Sequence, residues 1–312
     1  MKGLILVNLG TPESPTISAV RCYLNEFLSD PDVIDAPAIV RWLLLHAIIL
    51  PFRPRRSAHQ YQQIWTKNGS PLLCHTNALA EAVQKQLGSN ICVAVGMRYG
   101  NPSIATAIEE VLKRGVREIL FFPLFPQYSN ATTGSIEKRI KEGWRDSFKM
   151  APPFFQDDGF LQSFAEVGRP VIEKNHPDHI LFSFHGLPEK QIQKGDPYRD
   201  QCLKTATGLA LQLGLEEKDY TICFQSRMGA GRWIQPYTDQ EVVRLLDSGK
   251  KRLVIFAPSF VTDCLETLEE IGIRYRKLAL AHGAESFELV PSLNNHPRWI
   301  TAICEMFHRA YV

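Results

Sequence analysis

The chain reads as an α/β protein built from two similar doubly wound, Rossmann-like halves with parallel sheets. Three observations predict this. Short apolar, β-branched runs alternate with helix-period segments, the alternation occurs twice in the same order, and a turn-rich stretch separates the two passages. Strands are expected at 4–7, 92–95, 118–122, 180–184, 221–224 and 253–256, each apolar enough to be covered on both faces. Between them, residues 103–113 place Ile104, Ile108, Val111 and Leu112 on one helical face, and 239–246 reads as another amphipathic helix.

The duplication is legible residue by residue. Ile5-Leu6-Val7-Asn8-Leu9-Gly10 resembles Leu181-Phe182-Ser183-Phe184-His185-Gly186, each a strand running into a Gly-x-Pro-Glu turn. Met97-Arg98-Tyr99-Gly100 parallels Ser226-Arg227-Met228-Gly229, and Ile119 through Phe125 parallels Val254 through Phe260. Pro152 through Gly159 carries the turn residues of a boundary, so the expected halves are 1–158 and 159–312. In such sheets ligands sit beyond the carboxyl ends of the strands, so residues there are the candidates for chemistry, and a cleft between two halves is the default site.

Composition narrows the class. The 312 residues carry 35 Lys and Arg against 33 Asp and Glu, a net charge of +2, which gives no field for a nucleic-acid partner. Seven cysteines without any C-x-x-C spacing argue against a disulfide scaffold or zinc finger and for a reducing compartment. No apolar run reaches the ~18 residues of a membrane span, and the apolar start at Leu4–Val7 is too short for a signal peptide. A cytoplasmic protein is expected.

Nucleotide and hydrolase signatures are absent: there is no Walker lysine motif, Gly229-Ala230-Gly231 lacks a third glycine, and neither H-E-x-x-H nor G-x-S-x-G occurs. What remains is a histidine and a row of carboxylates at strand ends. His185 follows an apolar strand and precedes a glycine, where an imidazole accepts protons or binds a metal near neutral pH; its bland alternative is a turn histidine satisfied by backbone. The first half carries Leu9 at the matching place. Asp263, Glu266 and Glu270 are spaced i, i+3, i+7 and share a face on an α-helix, which suits a divalent cation or a proton relay, or else only a solvated first turn. Arg98, Tyr99, Tyr128, Trp233, Tyr237 and Phe260 follow strands, a set suited to a flat π-rich ligand with peripheral carboxylates. Residues 39–52 are apolar nearly all round and are followed by Arg53, Arg55 and Arg56; they read as a core helix or as an interfacial lip.

These blocks resemble those of the ferrochelatases, which insert ferrous iron into a porphyrin. Ser183-Phe184-His185-Gly186-Leu187-Pro188 is similar to the family's S-x-H-G-[LI]-P block, with Gly195-Asp196-Pro197-Tyr198 after it. Phe224-Gln225-Ser226-Arg227 with Trp233 and Pro236-Tyr237-Thr238-Asp239 resembles a second block, and Asp263-Cys264-Leu265-Glu266-Thr267-Leu268-Glu269-Glu270 a third. Val7 through Pro12, Tyr61 through Leu72, and Pro126 through Gly134 extend the similarity over residues 3 to about 300.

The resemblance implies two doubly wound halves facing a porphyrin cleft. It implies insertion of iron into protoporphyrin IX, with coproporphyrin III left open as the substrate. It puts the catalytic histidine on His185 and the essential glutamate on Glu266, with Asp263 and Glu270 joining them as the metal set. Arg98, Tyr99, Ser70, Trp233 and Phe260 match pocket-lining residues, and Tyr128 joins the expected substrate contacts. Cys264 stands where many members have a histidine, and Arg274 where some extend the acidic row. No cysteine-bearing tail follows, so no tightly bound cofactor and no iron–sulfur cluster are expected; iron is substrate. The expected partners are porphyrin, ferrous iron and a peripheral contact with the inner membrane. The alternatives are a cobalt chelatase of corrinoid or sirohaem synthesis and a non-catalytic two-lobed haem or porphyrin carrier. Against the carrier stands the chemistry: a free-base porphyrin must lose two N–H protons as the metal enters, which needs a base.

Overall fold

The computed structural model describes residues 1–144, 148–229 and 231–311, so Ala230 of the Gly229-Ala230-Gly231 run lies outside the described residues. Two units divide the chain: Met1–Leu124 with Ser129–Pro152 and Ile300–Val312, and Phe125–Tyr128 with Pro153–Trp299.

In the first unit the order is β1 (Lys2–Gly10), α1 (Ile17–Ser29), α2 (Ala38–Leu43), a π-helical stretch at Leu44–Ile49, α3 (Leu50–Ile64), α4 (Pro71–Leu87), β2 (Ile91–Tyr99), α5 (Ile104–Lys113), β3 (Glu118–Pro123), a π-helical turn at Asn130–Gly134, α6 (Ser135–Gly143) and β4 (Lys149–Met150). The second unit runs α7 (Asp158–Asn175), β5 (His179–His185), α8 (Glu189–Gln193), α9 (Tyr198–Leu213), β6 (Tyr220–Gln225), α10 (Thr238–Asp247), β7 (Arg252–Phe256), a π-helix at Leu265–Tyr275, α11 (Arg276–Ala281) and β8 (Ser286–Leu289). A last helix, α12 (Pro297–Arg309), follows.

Both sheets are parallel and share one topology, β2-β1-β3-β4 in the first unit and β6-β5-β7-β8 in the second. The central strands are the apolar ones: Leu4, Ile5, Leu6 and Val7 of β1 and Leu181, Phe182 and Phe184 of β5 are fully buried. Helix starts follow side-chain capping, which satisfies backbone N–H groups that have no partner inside the helix. Thr16 accepts from the N–H of Ala19, Ser103 from Thr106 and Asp157 from Phe160.

The expected strands all form. The edge strands β4 and β8, of two and four residues, are absent from the sequence reading because runs that short carry no period. The contiguous halves 1–158 and 159–312 differ from the structure in three places. Residues 125–128 and 153–158 go to the second unit, and the chain from Ile300 returns to the first, where the ring of Tyr311 sits under the ammonium groups of Lys2 and Lys149, 3.9 and 4.5 Å from its centre.

The repeat is also shifted from its expected alignment at one strand. Asn8 opposes Met97 and Phe184 opposes Phe224, so with Leu9 matched to His185 the counterpart of Met97 is Phe224, two residues before Ser226. Equivalent bonds agree: Met97 N–H donates to Pro102 (2.7 Å) and Phe224 N–H to Pro236 (2.8 Å). Arg98 lies within β2 whereas Arg227 follows β6, so the Arg-x-Gly likeness does not mark equivalent positions.

Candidate active site

His185 ends β5, half-buried, and its Nδ1 lies 2.7 Å from the carbonyl oxygen of Gly186. A carbonyl only accepts, so this bond puts the ring proton on Nδ1 and leaves the Nε2 lone pair as the proton acceptor. The turn is narrow: a Cβ on Gly186 would meet the carbonyl oxygen of Gln225 at 2.8 Å and the Trp233 ring at 3.4 Å. Glycine is therefore required beside the imidazole. Phe260 stands with its ring centre 6.1 Å from that of His185. Trp233 is held by a bridge to Pro188 and by donating Nε1–H to Met228 O at 2.9 Å. Tyr198 is buried and bonds its hydroxyl to Ser259 (2.7 Å), the residue before Phe260.

A buried polar network adjoins these groups, formed by Ser183, Gln225 and Thr238. Ser183 donates to Gln225 Oε1 (2.7 Å) and bonds Thr238 (2.7 Å). Gln225 Nε2 donates to the backbone oxygen of Glu266 (3.0 Å) and lies 3.4 Å from Glu270 Oε2. The available signal is a polar residue ending or interrupting an apolar strand, Ser183 in β5 and Gln225 in β6; a serine between phenylalanines at a buried position needs a partner.

The acidic row is arranged differently from its expected α-helical stripe. Asp263 precedes the helix, whose N-cap is Cys264, and Leu265–Tyr275 is π-helical, closing its bonds at i→i+5. Asp263 therefore lies off the helix, while Glu266 and Glu270, four residues apart within it, remain on nearly the same face. Asp263 accepts from the Thr267 hydroxyl and Ser292 N–H at Oδ1 and from Asn294 at Oδ2 (2.8 Å). Glu270 is more fully engaged. Ser226 N–H (3.1 Å), the Tyr275 hydroxyl (2.9 Å) and Arg274 (3.5 Å) reach Oε1, and the Ser226 hydroxyl reaches Oε2 (2.5 Å). Burial first, then the Glu270 charge, hold the Tyr275 phenol well above its ordinary pKa, so it stays a donor. Glu269 is buried and paired with Arg274 (2.9 Å). Among the described residues no three His, Cys, Asp or Glu side chains converge as a metal cage, so His185, Glu266, Asp263 and Glu270 are not assembled as one ligand set. Glu266 is half-buried, and its carboxylate accepts a hydrogen bond from the Cys264 thiol. Burial, then the Glu266 charge, push the Cys264 thiol well up.

In the first unit, Arg98 and Tyr99 join a different network. Arg98 Nη2 pairs with Asp30 at 2.5 Å and its Nε donates to Ser135 (2.7 Å); Ser135 and Tyr99 both donate to Asp30 Oδ2, at 2.7 and 2.8 Å. Tyr99 is 1% exposed, so its edge contacts protein. Burial pushes the Asp30 carboxyl up, but bonds from Ser135, Asp32 N–H and Tyr99 with the Arg98 charge outweigh it, leaving it below its usual range. Asp30 was not singled out in the sequence. Ser70 is buried at the N-cap of α4 and accepts from Thr11 (2.7 Å). Tyr128 belongs to the second unit, where its N–H donates to Gln201 (2.7 Å).

The family model described as Ferrochelatase matches residues 1–311. Among curated relatives, a ferrochelatase from Coxiella burnetii (strain CbuK_Q154) is 43% identical over 97% of this chain and 92% of its own length. One from Legionella pneumophila (strain Paris) is 44% identical over 97% of both. Among solved structures, the cobalt complex of the sirohydrochlorin chelatase SirB from Bacillus subtilis subspecies spizizenii aligns with a TM-score of 0.59 at 11% identity, covering 99% of this chain and 94% of that one. The structure of CbiX, from siroheme biosynthesis in denitrifying bacteria, aligns with a TM-score of 0.55 at 17% identity over 99% of both chains. At such identities these structures speak for the fold alone.

Proposed function

The chain belongs to the ferrochelatase family, and we propose that, in its insertion of ferrous iron into a porphyrin, His185 takes up the pyrrole protons and Glu266 accompanies the metal. The observation that carries this reading is the bond from His185 Nδ1 to Gly186 O, which leaves Nε2 as a free base at a strand end. Two N–H protons leave as Fe²⁺ enters, so a positioned base accelerates the step by about 10²–10⁴-fold. Glu266 supplies a hard oxygen that neutralises the incoming cation without trapping it as a thiolate would. The flanking rings of Phe260 and Trp233 suit a flat macrocycle. The cobalt-chelatase alternative draws only on fold likeness, whereas the relatives at 43–44% identity are named ferrochelatases.

The test is anaerobic mixing with Fe²⁺ and either protoporphyrin IX or coproporphyrin III, following loss of the free-base spectrum. His185→Ala and Glu266→Gln should each lose turnover by about 10³-fold while retaining porphyrin binding. Near-normal turnover in both would overturn the assignment.

No resident cofactor is part of this reading. The seven cysteines have no C-x-x-C or similar short spacing that would nest a cluster. Purified protein should contain no acid-labile sulfide; a stoichiometric amount would refute this.

Peripheral membrane contact belongs to the same proposal. Residues 39–52 are mostly exposed: Leu45 and Leu50 turn into the core, but α2 has no buried residue, and Ile39, Phe52 and Trp42 are 76%, 75% and 58% exposed. Among the described residues no helix is long and apolar enough to cross a membrane. With Arg55 and Arg56 exposed on α3, this surface suits an anionic bilayer, each arginine contributing about 1 kcal/mol at low salt. Trp42→Ser with Leu43→Ser should reduce sedimentation with anionic liposomes and leave insertion into detergent-dispersed porphyrin unchanged. Undiminished sedimentation would assign the contact elsewhere.

A further inference from the structure

We infer that Gln225 is a positioning residue that holds the base and the carboxylate of this site in register, an inference that rests on the roles given above to His185 and Glu266. Gln225 ends β6 opposite His185 and is 1% exposed. Its backbone oxygen accepts from Gly186 N–H (2.8 Å), and the carbonyl of that same glycine accepts from His185 Nδ1 (2.7 Å). From its other end, Nε2 donates to the backbone oxygen of Glu266 (3.0 Å). One residue therefore bonds both to the turn that orients the imidazole and to the peptide that carries the carboxylate.

The amide has one orientation compatible with its neighbours. Glu266 O and Glu270 Oε2 are acceptors and demand the NH₂, while the Ser183 hydroxyl, 2.7 Å away, donates to Oε1. Beyond Gln225, Ser226 has a φ of 64°, unusual for a residue with a side chain, and Glu270 grips it by both N–H and hydroxyl. The segment that follows docks on the His185 turn: Ile234 N–H donates to Leu187 O (2.9 Å) and Glu189 N–H to Arg232 O (3.0 Å). Glu270 thereby secures the strand end from which Gln225 reaches, and it acts on the site through Gln225 and Ser226.

The consequence is a dependence of turnover, not of porphyrin affinity, on the length and chemistry of residue 225. Misplacing a catalytic group by ~1 Å costs about 10²-fold. Gln225→Asn keeps an amide but falls one methylene short of Glu266 O, and Gln225→Met keeps the length but donates nothing. Both should lower kcat by about 10- to 100-fold, with KM for protoporphyrin within about twofold. Thr238→Val is the control: it removes the hydroxyl bonded to Ser183 in the same network but touches neither link, so it should lower Tm and leave kcat within about twofold.

The inference is overturned if Gln225→Asn retains wild-type kcat, if kcat falls with Tm alike in Thr238→Val and the Gln225 variants, or if neither Gln225 variant accumulates folded, since residue 225 would then serve the fold alone. His185→Ala and Glu266→Gln run alongside. Turnover surviving in those two defeats the reading of the site itself. Turnover lost in those two but kept in the Gln225 variants defeats only the positioning role.

Discussion

The carboxyl ends of the two sheets are built to one plan and differ in the side chains that the strand ends present. In the first unit the residue beside the end of β2 is Arg98, which donates to Ser135 on α6; at the matching strand position in the second is Gln225, which reaches Glu270 in the π-helix. The first network centres on the Asp30 carboxylate, held by Arg98, Ser135 and Tyr99, the second on the Glu270 carboxylate, held by Arg274, Ser226 and Tyr275. Where β5 presents His185, β1 presents Leu9. Identical topology thus leaves strand ends chemically blank, and the side chains placed there make one end a charge clamp and the other a site with a free base.

The largest stability effect that tests this contrast lies in the first unit. Asp30→Asn keeps the shape but leaves Arg98 buried without its anion, and should cost about 3 kcal/mol in urea unfolding. Because the folded-state pKa of Asp30 is lowered, its stabilisation is present above about pH 4 and is lost as pH falls further. A loss under ~1 kcal/mol, against the 3–5 of a broken buried pair, would mean that water already neutralises Arg98 and that the two networks are not alike. In the second unit Glu270→Gln should act more mildly. Whichever way its amide is turned, an NH₂ faces a donor, costing about 1–3 kcal/mol of stability. The apparent KM for Fe²⁺ should stay unchanged. An Fe²⁺ KM raised several-fold without loss of Tm would return Glu270 to the metal's path and undo its role as a clamp.

The fold was legible because buried parallel strands are long and apolar, and the repeat because Gly10 and Gly186 end them alike. The roles proposed for His185 and Glu266 draw on their places at the end of β5 and beyond the end of β7. The acidic stripe is legible in part: Glu266 and Glu270 share the helix, whereas Asp263 precedes it, and residue types alone announce neither where the helix starts nor that it is π-helical. Asp30 was invisible for another reason. Its partners Arg98 and Ser135 are 68 and 105 residues away, so only tertiary contact shows it. Gln225 lay between: a polar residue closing an apolar strand flags a partner without saying which.

The smallest effect concerns the opposite ends of the same central strands. His179 begins β5, 7% exposed, with Nε2 bonded to Thr221 (2.9 Å) and no partner for Nδ1 among the described residues. At the matching position β1 has Gly3, where a Cβ would meet Val116 at 2.8 Å, so nothing titrates there. Burial first, then the charges of Lys250 and Arg244 against those of Asp219 and Glu241, lower the pKa of His179 below its ordinary 6.5. The folded chain therefore binds this proton less readily than the unfolded chain does. Stability from this group is complete above about pH 6.5 and declines as pH falls from there toward the lowered value. His179→Leu removes the titration, so its unfolding free energy should change less between pH 7 and pH 5.5 than that of the parent chain. If the two proteins lose stability equally over that interval, His179 is protonated at little cost in the fold, and the two central strands do not differ in pH response at their amino ends.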